Sequence, residues 1–252
     1  MKLNDADVKD YQHNGYLVVE RLCSDEEVGQ LRLRTEEIAA GRIAYPEADI
    51  ELEPDAQTRN LLTARKINRC VENDTVFLAH SKNPQILDVV EQLIGPDIKL
   101  YGSQCFMKPP GGVEKPYHQD SAYFSIEPME LVTCWTALDD VTIDNGCMWV
   151  VAGSHREGLL DHSEPWFVGG RQDMQVPDSM IDQERKRPIV MPAGSCSFHH
   201  SLLLHRSTAN NTDSWRRGFA VHYMSARCRW THPTQPQPDY LSLRGNEYAD
   251  CV

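Results

Sequence analysis

Long apolar runs are missing from this chain of 252 residues. No window approaches the roughly 18 consecutive apolar residues that a membrane-spanning helix needs, so no membrane partner is expected. The N-terminus, Met1-Lys2-Leu3-Asn4-Asp5-Ala6-Asp7, has no apolar segment after its lysine. No secretory signal is read there, and a cytoplasmic location is expected. Basic residues are outnumbered: 25 Lys and Arg against 37 Asp and Glu leave a net charge of −12. Such a surface repels phosphate backbones and anionic lipid, which argues against nucleic-acid and membrane-surface partners. None of the eight cysteines forms a C-x-x-C pair. Scattered through a chain that can build its own core, they read as buried reduced thiols rather than disulfides or a zinc site. Internal repeats and low-complexity segments are absent as well.

What is present is an ordinary globular composition, 40% hydrophobic and 25% charged, which excludes a disordered or fibrous chain. A short helix is expected near residue 5, then a β-branched strand, Gly15-Tyr16-Leu17-Val18-Val19. Ser24-Asp25-Glu26-Glu27 has the form of a capping box opening a helix with Val28, Leu31, Leu33 and Ile38. The acidic, proline-containing stretch 42–60 reads as a mobile loop, and its run 47–55 lacks calcium-loop spacing. Asn83-Pro84 opens another helix that Gly95-Pro96 ends. From about residue 98 the texture changes to short β-rich runs: 99–108, 131–138, 148–151, 195–199 and 217–224. Asp144-Asn145-Gly146 predicts a type I′ hairpin turn between two of them. Many short strands without intervening helices predict an antiparallel sandwich or barrel. Residues 156–190 show little periodicity and read as an irregular lid, and the tail after Trp230 reads as extended.

Tyr117-His118-Gln119-Asp120 carries the first chemical signal. In extended backbone, residues two apart point the same way, so His118 and Asp120 can present an imidazole and a carboxylate to one point. A third ligand must come from elsewhere. His205, closing the apolar strand Leu202-Leu203-Leu204, is the leading candidate, and His199 and His200 are alternatives one strand earlier. Two His and one carboxylate leave three open positions on an octahedral metal, the arrangement of non-haem Fe(II) oxygenases. Downstream, Arg216 and Arg217 open a strand. Alternation puts Arg216, Gly218, Ala220 and His222 on one face, taken as inward, and Arg217, Phe219, Val221 and Tyr223 on the other, taken as outside. An inward Arg there can fork onto a carboxylate. His222 reads as a core histidine and His155 as a structural hydrogen-bond partner.

The stretch His205-Arg206-Ser207 … Asn210 … Trp215-Arg216, with the Arg eleven residues after the His, resembles the phytanoyl-CoA dioxygenase family of Fe(II)/2-oxoglutarate oxygenases. The upstream H-x-D, residues 144–155 ending in Gly153-Ser154-His155, and Pro192-Ala193-Gly194-Ser195 are similar too. The resemblance runs from about residue 8 to the end and is most specific over 101–224. It implies a single domain over 1–252 that is mainly β with flanking helices. The parts are an N-terminal strand and helices (about 1–97), a double-stranded β-helix core of the jelly-roll, cupin-like kind (about 98–228, with the lid at 156–190) and a tail (229–252). It further implies Fe(II), 2-oxoglutarate and O2 as cofactor and co-substrates, with His118, Asp120 and His205 as iron ligands. Arg216 and Ser207 match residues that hold the distal carboxylate of 2-oxoglutarate, and Lys108 and Trp135 match positions lining its pocket. Gln104 and Phe106 share parity with Lys108 and so face the same interior. Two departures stand out: Ala152 replaces the usual Pro, and Arg206 replaces a small residue.

The implied reaction is hydroxylation of an unactivated C–H of a small organic molecule with release of succinate and CO2. Asp120 argues for hydroxylation, because relatives that halogenate have a small residue there. The family's substrates include acyl-CoAs, amino acids, compatible solutes and natural-product intermediates. Overall acidity argues against a CoA ester; Arg171, Arg185, Lys186 and Arg187 in the lid are the local basic cluster. Trp166, Phe167, Tyr117, Tyr123 and Phe124 are expected around a partly apolar pocket of a monomer or homodimer. Two alternatives remain at this level: a cupin-like metal oxygenase that does without 2-oxoglutarate, and a non-catalytic ligand-binding barrel.

Overall fold

The computed structural model describes residues 1–53, 56–168 and 171–252, without the side chains of 168, 171 and 172. Local signals place the helices. In α1 (Asp5–Asn14) the Asn4 side chain accepts the Ala6 and Asp7 N–H groups, and Gly15 at φ +81° ends the helix. The Ser24–Glu27 capping box opens α2 (Asp25–Ala39), which buries Val28, Leu31, Thr35 and Ile38. Two short helices follow that no periodic pattern announces, α3 (Cys70–Asn73) and α4 (Thr75–Ser81). Asn83 caps α5 (Pro84–Ile94), whose inward stripe is Ile86, Val89 and Val90. No helix among the described residues is long and apolar enough to cross a membrane.

The strands are, in chain order, β1 (Tyr16–Val19), β2 (Ile50–Leu52), β3 (Ala64–Asn68), β4 (Ile98–Lys108), β5 (Lys115–His118), β6 (Ile126–Glu127), β7 (Leu131–Ala137) and β8 (Met148–Val151). After them come β9 (Glu164–Val168), β10 (Arg171–Gln175), β11 (Lys186–Ile189), β12 (Cys196–His200), β13 (His205–Ser207), β14 (Arg216–Ser225), β15 (Arg229–Trp230) and β16 (Ser242–Arg244). A large antiparallel sheet runs β1-β12-β7-β14-β4-β3-β2, with β16 on β4, and a smaller one runs β11-β8-β13-β5. Together they form the expected double-stranded β-helix of the jelly-roll, cupin-like kind. One face of the large sheet packs on the helices through Phe219, Val221, Tyr223 and Phe198. The other face lines a cavity with Arg216, Ala220 and His222.

Several expectations change. Arg217 does leave the cavity face, as parity predicts, but it is not outside. It is buried beneath the helices, forking onto Asp139 at 2.8 and 2.9 Å and pairing with Glu36. The predicted hairpin at Asp144-Asn145-Gly146 is a crossover, since β7 lies in the large sheet and β8 in the small one. Only Gly146 has positive φ there (+87°), so the turn is not type I′. Asn145 instead bonds back to Thr142 and Asp140.

The stretch 42–60 is not wholly loop: β2 pairs with β3, and Glu51 reaches Arg65, Lys66 and Asn68. Pro54 and Asp55 of its acidic run lie outside the described residues. Within 156–190 the chain forms a β9–β10 ribbon and β11. A two-stranded ribbon with Phe167 exposed has no buried face to impose an apolar period. Leu202–Leu204 form a turn rather than a strand, and His205 opens β13 instead of closing its predecessor.

Candidate active site

Strand pairing assembles the triad. His118 ends β5 and His205 opens β13, directly opposite each other, with ring centroids 4.2 Å apart. Gln119 is extended (φ −115°, ψ 134°), so Asp120 returns to the side of His118 as the two-residue spacing predicts. Asp120 Oδ1 lies 3.8 Å from His118 Nε2 and 3.7 Å from His205 Nε2. One ligand atom from each of the three residues lies within 4.8 Å of the others.

Hydrogen bonding decides which nitrogens are free. His118 Nδ1 is 2.8 Å from the Pro116 carbonyl and His205 Nδ1 is 2.9 Å from the Leu203 carbonyl. A carbonyl only accepts, so both Nδ1 atoms carry the proton and both Nε2 lone pairs face Asp120. Burial lowers both imidazole pKa values, His205 to about 4, so both rings are neutral at neutral pH. Burial pushes Asp120 upward, but His205, His199 and His222 outweigh it and hold the carboxyl well below its usual range. The donor set is therefore two neutral imidazoles and one carboxylate, which suits Fe(II).

The sequence alternatives separate cleanly. His200 takes no part: its Nδ1 accepts the Leu202 N–H at 3.0 Å, and it does not line the cavity. His199 is in the cavity but lies against the other carboxylate oxygen, Nε2 to Oδ2 at 3.6 Å, and its Nδ1 lacks a partner to orient the ring. His222 is buried as expected, yet it belongs to the site, with Nδ1 3.9 Å from the same Oδ2. His155 contacts the Gln12 carbonyl at 3.2 Å, the structural role expected.

All eight sequence candidates, His118, Asp120, His205, Arg216, Ser207, Lys108, Trp135 and Gln104, line this one cavity, as does Phe106. Arg216 opens β14 opposite Lys108 and is 4% exposed. Its guanidinium lies 5.5 Å from the Trp135 ring centre, its Nε is buried without a hydrogen bond, and it has no ion pair among the described residues. Burial lowers its pKa to about 10, so it stays cationic at neutral pH. A buried cation left unpaired beside the triad calls for an anionic ligand. Lys108 Nζ donates to Ser207 Oγ at 3.0 Å and to the Thr208 carbonyl.

The cavity lining also carries charges of both signs, Arg65, Lys66, Lys115 and Arg206 together with Glu53, Glu114 and Asp173. Arg206 sits over the Tyr117 ring at 5.1 Å. The expected basic cluster of the lid is elsewhere: Arg185 pairs with Glu157 and Asp182, and neither Lys186 nor Arg187 lines the cavity. The Arg171 side chain lies outside the described residues. Of the expected aromatics, Tyr123 and Phe124 line the cavity, whereas Tyr117 packs on the far side of the small sheet. Trp166 and Phe167 are on the ribbon and are not among the residues lining the cavity.

Sequence reasoning missed two residues. Gln119, fully buried, donates to the Gly158 and Leu202 carbonyls and so fastens the loops flanking the triad. Thr133 donates to Asp120 Oδ2 at 3.0 Å. Neither carries a one-dimensional signal, because each acts on groups far along the chain.

The sequence model of the phytanoyl-CoA dioxygenase family matches residues 11–218. The peroxisomal phytanoyl-CoA dioxygenase of Rattus norvegicus is 31% identical over 97% of this chain and 72% of its own. A probable alpha-ketoglutarate-dependent hypophosphite dioxygenase of Stutzerimonas stutzeri is 26% identical over 86% of this chain and 77% of its own. Among solved structures, the apo form of the non-heme monooxygenase ThoJ superposes with a TM-score of 0.74 at 26% identity, covering 97% of this chain and 86% of that one.

Proposed function

The chain belongs to the phytanoyl-CoA dioxygenase family, and from that premise we propose which of its residues carry the chemistry and on what kind of substrate. It is an Fe(II)- and 2-oxoglutarate-dependent dioxygenase of the hydroxylating type. His118, Asp120 and His205 hold the iron. Arg216 and Ser207 receive the distal carboxylate of 2-oxoglutarate, with Lys108, Trp135 and Gln104 as walls. One observation carries this assignment: two proton-free Nε2 atoms converge on Asp120 Oδ1, while a buried Arg216 with no ion pair among the described residues lies in the same cavity.

Iron with 2-oxoglutarate and O2, when bound, supplies the oxidative decarboxylation to succinate and CO2 and the oxidation of a neighbouring C–H. The protein contributes orientation. The fixed Arg216 fork sets which end of the keto acid faces the triad, an entropic gain. The Trp135 face keeps that guanidinium in place. Apolar walls from Phe124, Met148 and Val113 bind the carbon skeleton of the substrate and exclude water.

The substrate is a small organic molecule. A cavity lining that carries charges of both signs favours a polar or zwitterionic head over a polyanionic one. Eight free thiols, seven of them buried, fit a reducing compartment such as the cytoplasm.

The test is an anaerobic titration with Fe(II) followed by 2-oxoglutarate, watching for the visible charge-transfer band of a chelated keto acid. Arg216→Ala should retain Fe(II) affinity. It should need some 30-fold or more extra 2-oxoglutarate, from the about 2 kcal/mol or more that truncating one partner of a buried charge pair costs. Equal loss of both ligands would make Arg216 structural. Iron binding without any band in the wild type would favour a metal oxygenase that does without 2-oxoglutarate.

A further inference from the structure

Three neighbouring strands of the large sheet place His199, Thr133 and His222 in one row. Thr133 of β7 pairs across to His199 of β12 on one side and to His222 of β14 on the other. The row lies beneath Asp120. Oδ1 of that carboxylate faces His118 and His205, and Oδ2 faces the row. Within the row only Thr133 is close enough for a hydrogen bond to Oδ2, at 3.0 Å; His199 stands at 3.6 Å and His222 at 3.9 Å.

The proton count is closed. A hydroxyl has one proton, and an ionised carboxylate only accepts, so the Thr133 proton goes to Asp120 Oδ2. Thr133 Oγ1 also lies 2.8 Å from His222 Nδ1. With its own proton spent, the hydroxyl must accept there, so His222 carries its proton on Nδ1. The chain of donation is thus His222 Nδ1–H to Thr133 Oγ1, and Thr133 O–H to Asp120 Oδ2.

We infer that Thr133, oriented by His222, is a positioning residue that holds Asp120 with one chosen oxygen toward the metal. This rests on the assignment of Asp120 as a metal ligand. The terminal torsion of an aspartate is broad and nearly two-fold, so the side chain alone does not choose between its oxygens. A β-branched residue is stiff at χ1, and Thr133 is 1% exposed, so its hydroxyl is a fixed point. A donor on Oδ2 leaves Oδ1 as the single inward ligand and disfavours chelation through both oxygens, which would occupy a position needed by co-substrate or O2.

The test reads metal affinity directly, by anaerobic Co(II) titration followed by visible absorption, without 2-oxoglutarate or turnover. Thr133→Val keeps the shape and removes the donor. It should weaken Co(II) binding about 10- to 100-fold, the usual cost of losing an outer hydrogen bond to a ligand. Thr133→Ser should stay near wild type. His222→Asn, whose amide nitrogen can replace Nδ1, should also stay near wild type, and His222→Leu should fall toward Thr133→Val. The Thr133→Val/His222→Leu double variant should bind no more weakly than Thr133→Val alone, because both act through one contact.

Unchanged affinity in Thr133→Val, or equal weakening in Thr133→Val and Thr133→Ser, overturns the proposal. If Thr133→Val does not fold, the contrast between His222→Asn and His222→Leu decides. Asp120→Ala separates the two levels: it should abolish binding. If it binds Co(II) like wild type, the ligand assignment fails and the positioning role falls with it.

Discussion

At Gly218 a Cβ would sit 1.8 Å from the Trp135 ring, far inside contact distance. The position therefore needs glycine for space: Trp135 lies flat across the strand two residues beyond Arg216. Gly218→Ala should push Trp135 off the Arg216 guanidinium. The expected result is weaker 2-oxoglutarate binding with iron affinity retained, and a stability loss of about 1–3 kcal/mol from overpacking, read by denaturant unfolding. Unchanged affinity for both ligands would show that Trp135 does not help place Arg216. The adjacent Arg216 and Arg217 make the same point about what a sequence carries. Alternation along a strand separates their faces correctly. It does not say that Arg217 finds Asp139 and Glu36 under the helices while Arg216 has no ion pair among the described residues. Thr133 was invisible as a site residue for a related reason: the row it forms with His199 and His222 exists only across three strands.

Elements with strong local chemistry were legible to within a residue or two. The Ser24 cap is one: Glu27 N–H reaches Ser24 Oγ at 3.3 Å, and Glu27 Oε2 takes the Ser24 N–H at 2.8 Å. Glu27 also accepts from Asn83 Nδ2 at 2.6 Å, which ties the start of α2 to the cap of α5. Ser24→Ala should cost about 1 kcal/mol. Glu27→Ala should cost more, since it removes the carboxylate half of the capping box and the tie to Asn83 together; equal costs in chemical denaturation would show that the tie adds nothing. Elements that depend on partners were not legible. β3 pairs with β4, and β2 adds to β3 at the sheet edge, where Glu51 meets Arg65 and Lys66. The 142–146 turn looks like a hairpin locally, but the runs it joins belong to different sheets, and which sheet a strand enters is decided by packing.

The molecule as a whole should lose stability on mild acidification. Burial lowers the pKa of His80 to about 4, and the same holds for His205 and His222. These rings are neutral when folded and bind protons below their ordinary pKa near 6.5 when unfolded. The unfolded state thus binds more protons between about 6.5 and 4, so stability is full above that window and falls as pH drops through it. His80 contributes about 3 kcal/mol across the window at about 1.4 kcal/mol per unit. His80→Gln can keep the contact that His80 Nε2 makes with Thr136 Oγ1 at 3.0 Å. It should flatten the fall in melting temperature of metal-free protein between pH 7 and 5; an unchanged slope would remove His80 from this account. At this scale the division between sequence and structure becomes clear. The sequence by itself determined the helix caps, the strand-rich second half and the H-x-D pair, because each depends on backbone geometry within a few residues; the distal His with its Arg eleven residues on was legible only through the family resemblance. Tertiary structure decided that His205 faces His118 rather than His199 or His200 taking that place. It also decided which carboxylate oxygen each histidine meets and that Arg216 has no ion pair among the described residues. Those outcomes depend on strand register and on the burial of charge between two sheets, and both arise only when segments far apart in the chain are packed together.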